Sequence, residues 1–304
     1  MKFGIHSPSF IYPEANLFDA VKQKAIWIER HGFDWFSVMD HLIQIPVHGL
    51  PEEPFMEGWT LLSALAAVTE RIRLSTLVTS TAYRNPALLA KMVAGVDHIS
   101  GGRVTLGIGA GWYEAEFKQY GFDYPEKPAE RIYRLEEAVK LIKSMWIEER
   151  ATVHGKYFHV TEAILNPKPI QKPHPPILIG GAGEQLTLRT VARVGDACNF
   201  IGSPDEVRKK FEVLNQHCVK EGRVYSDIER TVLCNILIAK DDLSIQSKLE
   251  KATLFKGRGL TVDGARKLFA EYQAASVQML ICSIYQNDVE TLELLSELKD
   301  QYKS

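Results

Sequence analysis

The spacing of hydrophobic residues alternates along this chain between two patterns. Short runs of β-branched and apolar residues, such as 72–78, alternate with longer stretches like 129–146, in which apolar residues recur every three or four positions. Strands that are apolar at nearly every position, separated by helices, predict a parallel sheet buried on both faces. The predicted strands are 2–6, 35–39, 72–78, 104–108, 177–179, 197–201, 231–238 and 277–281.

Eight β–α units in a chain of 304 residues favour one architecture. They predict a single α/β domain over 1–304, a closed (β/α)₈ barrel of the TIM type rather than an open doubly wound sheet. No Pro-, Gly- or Ser-rich linker divides the chain. The predicted helices are 17–30, 60–68, one from 86 onward, 129–146, 184–192, 204–219, 262–272 and 289–298.

Three long connections, 41–58, 112–128 and 238–261, each follow a predicted strand. In a barrel this places them as insertions at the carboxyl-terminal face, where active sites are built. A fourth long segment, 151–176, is predicted to contain a small hairpin around Gly155 and a proline-stiffened return to the barrel.

Composition narrows the function classes. The formal net charge is −2, with charges spread throughout, so neither a nucleic-acid partner nor a membrane surface is expected. The four cysteines are scattered, without a CxxC pair, which predicts neither a disulfide framework nor a structural zinc site. The first residues lack the pattern of a signal peptide, so a cytoplasmic location is expected.

A glycine-rich stretch, LGIGAGWYEAEF, begins at Leu106 after the fourth strand. A dinucleotide-binding loop needs GxGxxG in the first β–α unit, and neither Gly107 nor Gly109 starts that pattern. Two interpretations remain. Small residues let neighbouring segments pack closely, or they form a flat floor for a planar ring, with Trp112 or Tyr113 beside it.

A second glycine cluster, LIGGAGEQ, lies between the fifth strand and a helix. Gly180, Gly181 and Gly183 would expose backbone N–H groups beside a helix N-terminus, an arrangement that favours a phosphate. A tight turn without a ligand explains the same residues equally well.

Polar side chains follow the first three strands. His6 ends the first strand and Asp40–His41 ends the second, which suggests acid–base chemistry at the barrel mouth. Thr76, Thr79, Ser80 and Thr81 add hydroxyls at the exit of the third. The chain contains no HxH on the first strand, no HExxH and no GxSxG, so no metal site and no serine nucleophile is predicted.

Three long stretches resemble the luciferase-like monooxygenase superfamily, and within it the branch of coenzyme F420-dependent oxidoreductases. They begin at Thr76 (TLVTSTAYRNPALLAK…), at Arg134 (RLEEAVKLIKSMW) and at Asn166 (NPKPIQKPHPPILIGGAGEQ…). The resemblance implies a TIM-type barrel with a flat isoalloxazine or 5-deazaflavin ring across its mouth. It also implies a non-proline cis peptide at Thr76–Leu77, within about one residue, behind the ring.

The same resemblance assigns the cofactor-binding residues. Those expected near the ring or at the cofactor phosphate are Asp40, His41, Thr76, Leu77, Thr79, Gly109, Ala110, Gly111, Trp112, Gly180, Gly181, Ala182 and Gly183. Sugar-phosphate dehydrogenases of the family carry a carboxylate where this chain has Trp112, which makes glucose 6-phosphate a poor candidate substrate. Apolar residues in 41–58 instead favour a hydrophobic carbonyl compound or activated alkene.

The predicted reaction is hydride transfer between C5 of coenzyme F420 and a small, fairly apolar organic substrate. His41 is the expected proton donor or acceptor, Asp40 is expected to orient it, and His6 is the reserve. Lys251, Lys256, Arg258, Arg266 and Lys267 could receive the acidic tail of the coenzyme or form a solvated basic surface.

Two alternatives stay open: an FMN-dependent monooxygenase working with a separate reductase, and a non-catalytic flavin-binding barrel. A reductase that recycles the flavin or F420 is an expected partner. By analogy with the family, so is a second copy of this chain in a homodimer.

Overall fold

Parallel strands form the closed wall on which the rest of the molecule is built. A computed structural model describes residues 1–10 and 16–302. The strands are β1 (Lys2–Ser7), β2 (Trp35–Val38), β3 (Arg73–Thr76), β4 (Thr79–Ser80), β5 (Val104–Gly109), β6 (Ala151–His154), β7 (His159–Ala163), β8 (Ile177–Gly180), β9 (Ala197–Phe200), β10 (Glu229–Ala239), β11 (Arg258–Thr261) and β12 (Met279–Ile284).

Helices pack around this wall. They are α1 (Leu17–Arg30), α2 (Gly58–Val68), α3 (Pro86–Ser100), α4 (Glu114–Tyr120), α5 (Pro128–Ile147), α6 (Thr187–Val194), α7 (Pro204–Glu221), α8 (Asp242–Lys251), α9 (Val262–Ala274) and α10 (Val289–Leu298). Local sequence sets several of their ends. In α7, Ser203 and Glu206 form a capping box, Pro204 occupies the first turn, and Gly222 adopts the left-handed conformation beyond the last.

Within the described residues the sheet closes on itself. Its order is β1, β2, β3 with its continuation β4, β5, β8, β9, β10 and β12, and β12 pairs with β1 in parallel register. The prediction of a closed eight-stranded (β/α)₈ barrel is therefore confirmed. Most positions of the barrel strands are buried and many of them are apolar, which explains the nearly continuous hydrophobic runs in the sequence, while polar side chains such as Ser37, Ser75 and Thr231 are buried among them.

Several predicted boundaries were wrong. The third strand ends early and is divided into β3 and β4, while the predicted non-proline cis peptide is confirmed between them, at Leu77–Val78, within one residue of Thr76–Leu77. The helix expected from residue 184 begins at Thr187, because residues 184–186 form a turn. The eighth strand starts at Met279, since Val277 still donates its N–H to the carbonyl of Tyr272 at the end of α9.

The insertions contain secondary structure that the hydrophobic pattern does not reveal. The 112–128 connection holds α4, and the 238–261 connection holds α8 and the extra strand β11. The predicted hairpin is present as β6 and β7. Its turn is held by Glu137, whose carboxylate accepts N–H bonds from Lys156, Tyr157 and Phe158 at 2.6–2.9 Å.

Gly107 of β5 supports a stability prediction. A Cβ at this position would lie 1.9 Å from the backbone oxygen of Thr76. Because this oxygen belongs to the backbone of the neighbouring strand β3, it cannot shift as the end of a flexible side chain could. We expect Gly107→Ala to lower the free energy of unfolding by about 1–3 kcal/mol, as overpacking does. Gly95→Ala is the matched control, because Gly95 lies exposed in α3 with no heavy atom within 4 Å of the added carbon. It should stabilise the protein by up to about 1 kcal/mol. Urea unfolding of both variants measures the difference, and equal effects would contradict the expectation.

Candidate active site

A cavity of about 880 Å³ opens at the carboxyl ends of the barrel strands. It is lined from β1 by His6, from β5 by Gly109, from β8 by Gly180, from β9 by Asn199 and from β12 by Ser283. Its size lies within the range of small-molecule and cofactor sites, and its position is where TIM barrels carry out chemistry.

Most of the predicted site residues meet in this cavity. His6, His41, Leu77, Thr79, Gly109, Ala110, Gly111, Trp112, Gly180, Gly181 and Ala182 line it. Asp40, Thr76 and Gly183 are not among its lining residues. Thr76 is completely buried and its hydroxyl donates to the Gly107 carbonyl at 2.8 Å, so this side chain joins β3 to β5 instead of facing a ligand.

The floor of the cavity explains the glycines of β5 and β8. Leu77 and Val78, joined by the cis peptide bond, line the cavity between these strands. A Cβ at Gly109 or Gly180 would lie 2.9 or 3.0 Å from a methyl group of Val78. Both glycines are therefore needed to make room for Val78. Gly109, Gly180 and Val78 together form a flat apolar floor.

His41 is held by a carboxylate that sequence reasoning missed. Its Nδ1 lies 2.7 Å from Oε2 of Glu116 in α4. The same carboxylate accepts bonds from the Tyr83 hydroxyl and from the N–H groups of Leu42 and Ile43. Burial would raise the pKa of Glu116, but the hydrogen bonds from His41, Leu42 and Tyr83 outweigh it and lower that pKa. Glu116 is therefore ionised, which fixes the proton of His41 on Nδ1 and leaves Nε2 as the working nitrogen.

Tyr83 belongs to the same buried group. Burial and its hydrogen bond to Glu116 raise the pKa of the Tyr83 phenol far above its usual value. Its hydroxyl therefore keeps its proton and acts as a donor to the carboxylate, 3.4 Å from His41 Nδ1.

The prediction that Asp40 orients His41 is wrong. The Asp40 carboxylate is bound by Arg84 through two nitrogens, at 2.7 and 2.9 Å, and by the Thr79 hydroxyl. Arg84 also binds Glu57, the residue that caps α2. Burial works against the charged guanidinium, yet Asp40 and Glu57 raise its pKa. This network closes the base of the 41–57 insertion and has a structural role.

His6 is confined by its surroundings. The ring is buried, its Nδ1 lies 3.0 Å from the Ser37 hydroxyl oxygen, and it lines the cavity. Burial, then the nearby His48 and Lys24, lowers the pKa of His6 to about 3. At neutral pH His6 is uncharged, so it is not in the protonated imidazolium form that a reserve acid requires.

A pH dependence of stability follows from His6. The unfolded chain binds a proton at this residue near its ordinary pKa of 6.5, whereas the folded protein does so only near 3. Because the unfolded state then holds more protons, stability falls as the pH drops below about 6.5. His6 alone should remove about 2 kcal/mol of unfolding free energy between about pH 7.5 and about pH 5. Urea unfolding at both pH values should show a drop for His6→Gln that is smaller by that amount. Identical drops would contradict the expectation.

The second glycine cluster forms an open loop at one end of the cavity. Gly181 has φ +122° and donates its own N–H to the Asn199 carbonyl at 2.9 Å. In the described part of the chain, the N–H groups of Ala182 and Gly183 have no acceptor. Thr187, the first residue of α6, places its side chain beside Gly183 and also lines the cavity. These donors suit an anionic group such as a phosphate.

The five proposed cations differ in their relation to the cavity. Of its five members only Lys256 lines the cavity. Arg266 pairs with Asp263 on the outer helix α9, and Arg258 begins β11. An acidic cofactor tail would therefore meet one of these five cations, Lys256, at the cavity.

Two other features are absent from residues 1–10 and 16–302. No group of three or more His, Cys, Asp or Glu side chains there is arranged to hold a metal ion. No helix in that part combines the length and the apolar character needed to cross a bilayer.

Comparison with known proteins identifies the family. A family model described as luciferase-like monooxygenase matches residues 1–284. The chain belongs to the luciferase-like monooxygenase family. Relatives in this family include both F420-dependent and FMN-dependent oxidoreductases.

Two curated relatives of the luciferase-like family illustrate this division. The chain is 30% identical to an F420-dependent glucose-6-phosphate dehydrogenase from Microbacterium testaceum, over 86% of this chain and 75% of that enzyme. It is 32% identical to an FMNH₂-dependent dimethylsulfone monooxygenase from Pseudomonas putida, over 61% of this chain and 54% of that enzyme. With three uncharacterised mycobacterial relatives, the match spans 66% of their length.

Solved structures of the luciferase-like fold agree with the barrel described above. An F420-dependent secondary alcohol dehydrogenase, in complex with an F420–acetone adduct, superposes with a TM-score of 0.85. The superposition covers 100% of this chain and 99% of that one at 20% sequence identity, a level that supports the fold alone.

Proposed function

We propose that this protein is a coenzyme F420-dependent oxidoreductase. It would transfer a hydride between C5 of the deazaflavin and the carbon of a small, apolar alcohol or carbonyl compound. The observation that carries the proposal is the His41–Glu116 pair beside an apolar cavity whose lining includes glycines and, at Ala182, a backbone N–H group with no acceptor among the described residues.

The residues present fit such a cofactor. Leu77, Val78 and the glycines that admit Val78 provide a surface against which a planar ring can stack. The N–H groups of Ala182 and Gly183, together with Thr187, would hold its phosphate. When bound, the coenzyme would supply C5 of the deazaflavin as the hydride carrier.

In this reaction the protein itself accepts and returns the proton of the substrate hydroxyl. In the oxidative direction, Nε2 of His41 accepts the proton of the substrate hydroxyl as the carbonyl forms. The ionised Glu116, hydrogen-bonded to Nδ1, compensates the positive charge that then develops on the ring. In the reductive direction, the same nitrogen returns the proton to the carbonyl oxygen. His41→Ala should reduce turnover sharply and leave cofactor binding largely intact.

An FMN-dependent monooxygenase is the second candidate, supported by the relative that uses FMNH₂. The dehydrogenase relative supports the first candidate better, because its match extends over 86% of this chain against 61% for the monooxygenase. Use of FMN would also require a partner reductase to supply the reduced flavin.

Titration of the purified protein with each cofactor tests the choice. F420 and FMN are added separately, and binding is followed by fluorescence quenching and by absorbance changes. We expect tight, saturable F420 binding with a stoichiometry near one, and FMN binding at least tenfold weaker. Tight FMN binding without F420 binding would overturn the proposal in favour of the monooxygenase.

A further inference from the structure

The cavity contains a third imidazole, His48, which lies in the insertion between β2 and α2. A tight turn fixes its position, since the N–H groups of His48 and Gly49 both donate to the Ile45 carbonyl, at 2.9 and 3.2 Å. Ile45 is itself buried. His48 therefore lines the same cavity as His6 and His41 from a well-anchored segment.

His48 differs from the other two histidines in its partners. His6 is bonded to Ser37, and His41 is bonded to Glu116. Within residues 1–10 and 16–302, the ring of His48 has no hydrogen-bond partner, so both of its nitrogens are left for a ligand. Burial, and after it the proximity of His41, lowers the pKa of His48 to about 4. At neutral pH the ring therefore offers one N–H donor and one lone pair.

The charges around the cavity restrict what His48 can bind. Among the described residues that line the cavity, none is Asp or Glu. Its cations are Lys256 and Arg131, and Arg131 already donates to the backbone carbonyls of Pro125 and Glu126. The chain segment that carries His48 adds the apolar side chains of Ile45 and Val47. A cationic substrate group would lose hydration here without gaining a counterion, which is costly, and the apolar side chains that flank His48 favour an uncharged group.

We propose that His48 is a substrate-binding residue, whose ring N–H donates a hydrogen bond to the oxygen of an uncharged ketone or secondary alcohol. This inference rests on the proposed function and specifies its substrate class. His41 and His48 have different roles because, of these two, His41 alone is hydrogen-bonded to a carboxylate, that of Glu116. His41 can carry the proton, whereas a second positive charge on His48 would be opposed by His41. His48 thus polarises and positions the oxygen without exchanging a proton with it.

Nitrogen NMR of the histidine rings tests this role directly. The protein is labelled with ¹⁵N in its imidazoles, and cyclohexanone is added to the cofactor-free and the F420-loaded forms at neutral pH. Resonances of His48 and His41 are assigned with His48→Gln and His41→Gln. We expect cyclohexanone to shift the protonated nitrogen of His48, and to leave His31, which stacks on Trp27 at the end of α1, unchanged. A shift confined to the other cavity histidines, or no shift in any of them, would overturn the proposal.

Binding constants of two variants provide a second, independent readout. His48→Phe keeps a ring of similar size but has no N–H, and it should weaken cyclohexanone binding roughly ten- to hundredfold. His48→Gln retains a donor and should stay within a few-fold of the native protein. The anion cyclohexanecarboxylate should bind at least tenfold more weakly than the ketone. Unchanged ketone binding by His48→Phe, or tighter binding of the anion, would overturn the proposal.

Measuring both the cofactor-free and the F420-loaded protein distinguishes a failure of this proposal from a failure of the proposed function. If F420 fails to bind while His48 still responds to cyclohexanone, the cofactor assignment fails and the assignment of His48 stands. If F420 binds and His48 gives no response, the cofactor assignment stands and the role of His48 is rejected.

Discussion

Replacing Glu116 by Gln is expected to lower kcat about 10³- to 10⁴-fold, with little change in cofactor affinity. The glutamine oxygen can still accept the N–H bonds of Leu42 and Ile43. Its amide group must then donate toward Nδ1 of His41, where the native carboxylate accepts. The proton of His41 consequently moves to Nε2, which can no longer accept the substrate proton, and the charge that stabilised the protonated ring is lost.

Glu114→Gln is the matched control for this variant. Glu114 lies in the same short helix, but its side chain is about half exposed and pairs with Lys118, at 2.7 Å. We expect its kcat to equal that of the native protein. Steady-state kinetics, with F420 binding measured in parallel, gives the comparison. A Glu116→Gln enzyme within about threefold of native turnover would contradict the assigned role of Glu116.

Arg84→Met is expected to cause the largest loss of stability, about 3–5 kcal/mol of unfolding free energy. The substitution removes both guanidinium contacts to Asp40, whose carboxylate is buried and, among the described residues, would keep the Thr79 hydroxyl as its one partner. It also releases Glu57 at the start of α2. Because His41 directly follows Asp40, turnover should fall as well.

An exposed ion pair serves as the control for Arg84. Arg71 and Glu70 lie 3.9 Å apart and are both mostly exposed, so Arg71→Met should cost less than about 1 kcal/mol. Adding Asp40→Asn to Arg84→Met should recover part of the loss, since no uncompensated charge then remains buried. Chemical denaturation measures all three proteins. If Arg84→Met costs no more than Arg71→Met, the Asp40–Arg84–Glu57 network is not the anchor of the insertion.

The barrel could be predicted from the sequence because its cause is local and repeated. Strands buried on both faces, such as β5 and β12, are apolar at most positions, and helices such as α5 show one apolar face. The glycine clusters could likewise be placed at strand ends. Their exact partners could not, since the collision that excludes a side chain at Gly109 involves Val78, thirty-one positions away in sequence.

The acid–base pair shows why the site was predicted only in part. Asp40 precedes His41, and this adjacency favoured Asp40 as its partner. Consecutive side chains of an extended chain point in opposite directions, so neighbours at a strand end are poorly placed to contact each other. The true partner, Glu116, is 75 residues away in α4, whose short helix gives a weak periodic signal. The pairing of His41 with Glu116 depends on tertiary structure alone.

Single-turnover reduction of the coenzyme without oxygen is the most direct test of the central claim. The F420-loaded protein is mixed anaerobically with cyclohexanol, unlabelled or deuterated at the carbinol carbon, while the absorbance of the oxidised deazaflavin is recorded. We expect this absorbance to decrease as the coenzyme is reduced, and to decrease more slowly with the deuterated alcohol. In His41→Ala we expect the absorbance of the oxidised coenzyme to remain. No reduction in the absence of oxygen, together with oxygen-dependent product formation when reduced FMN is supplied, would contradict hydride transfer to F420.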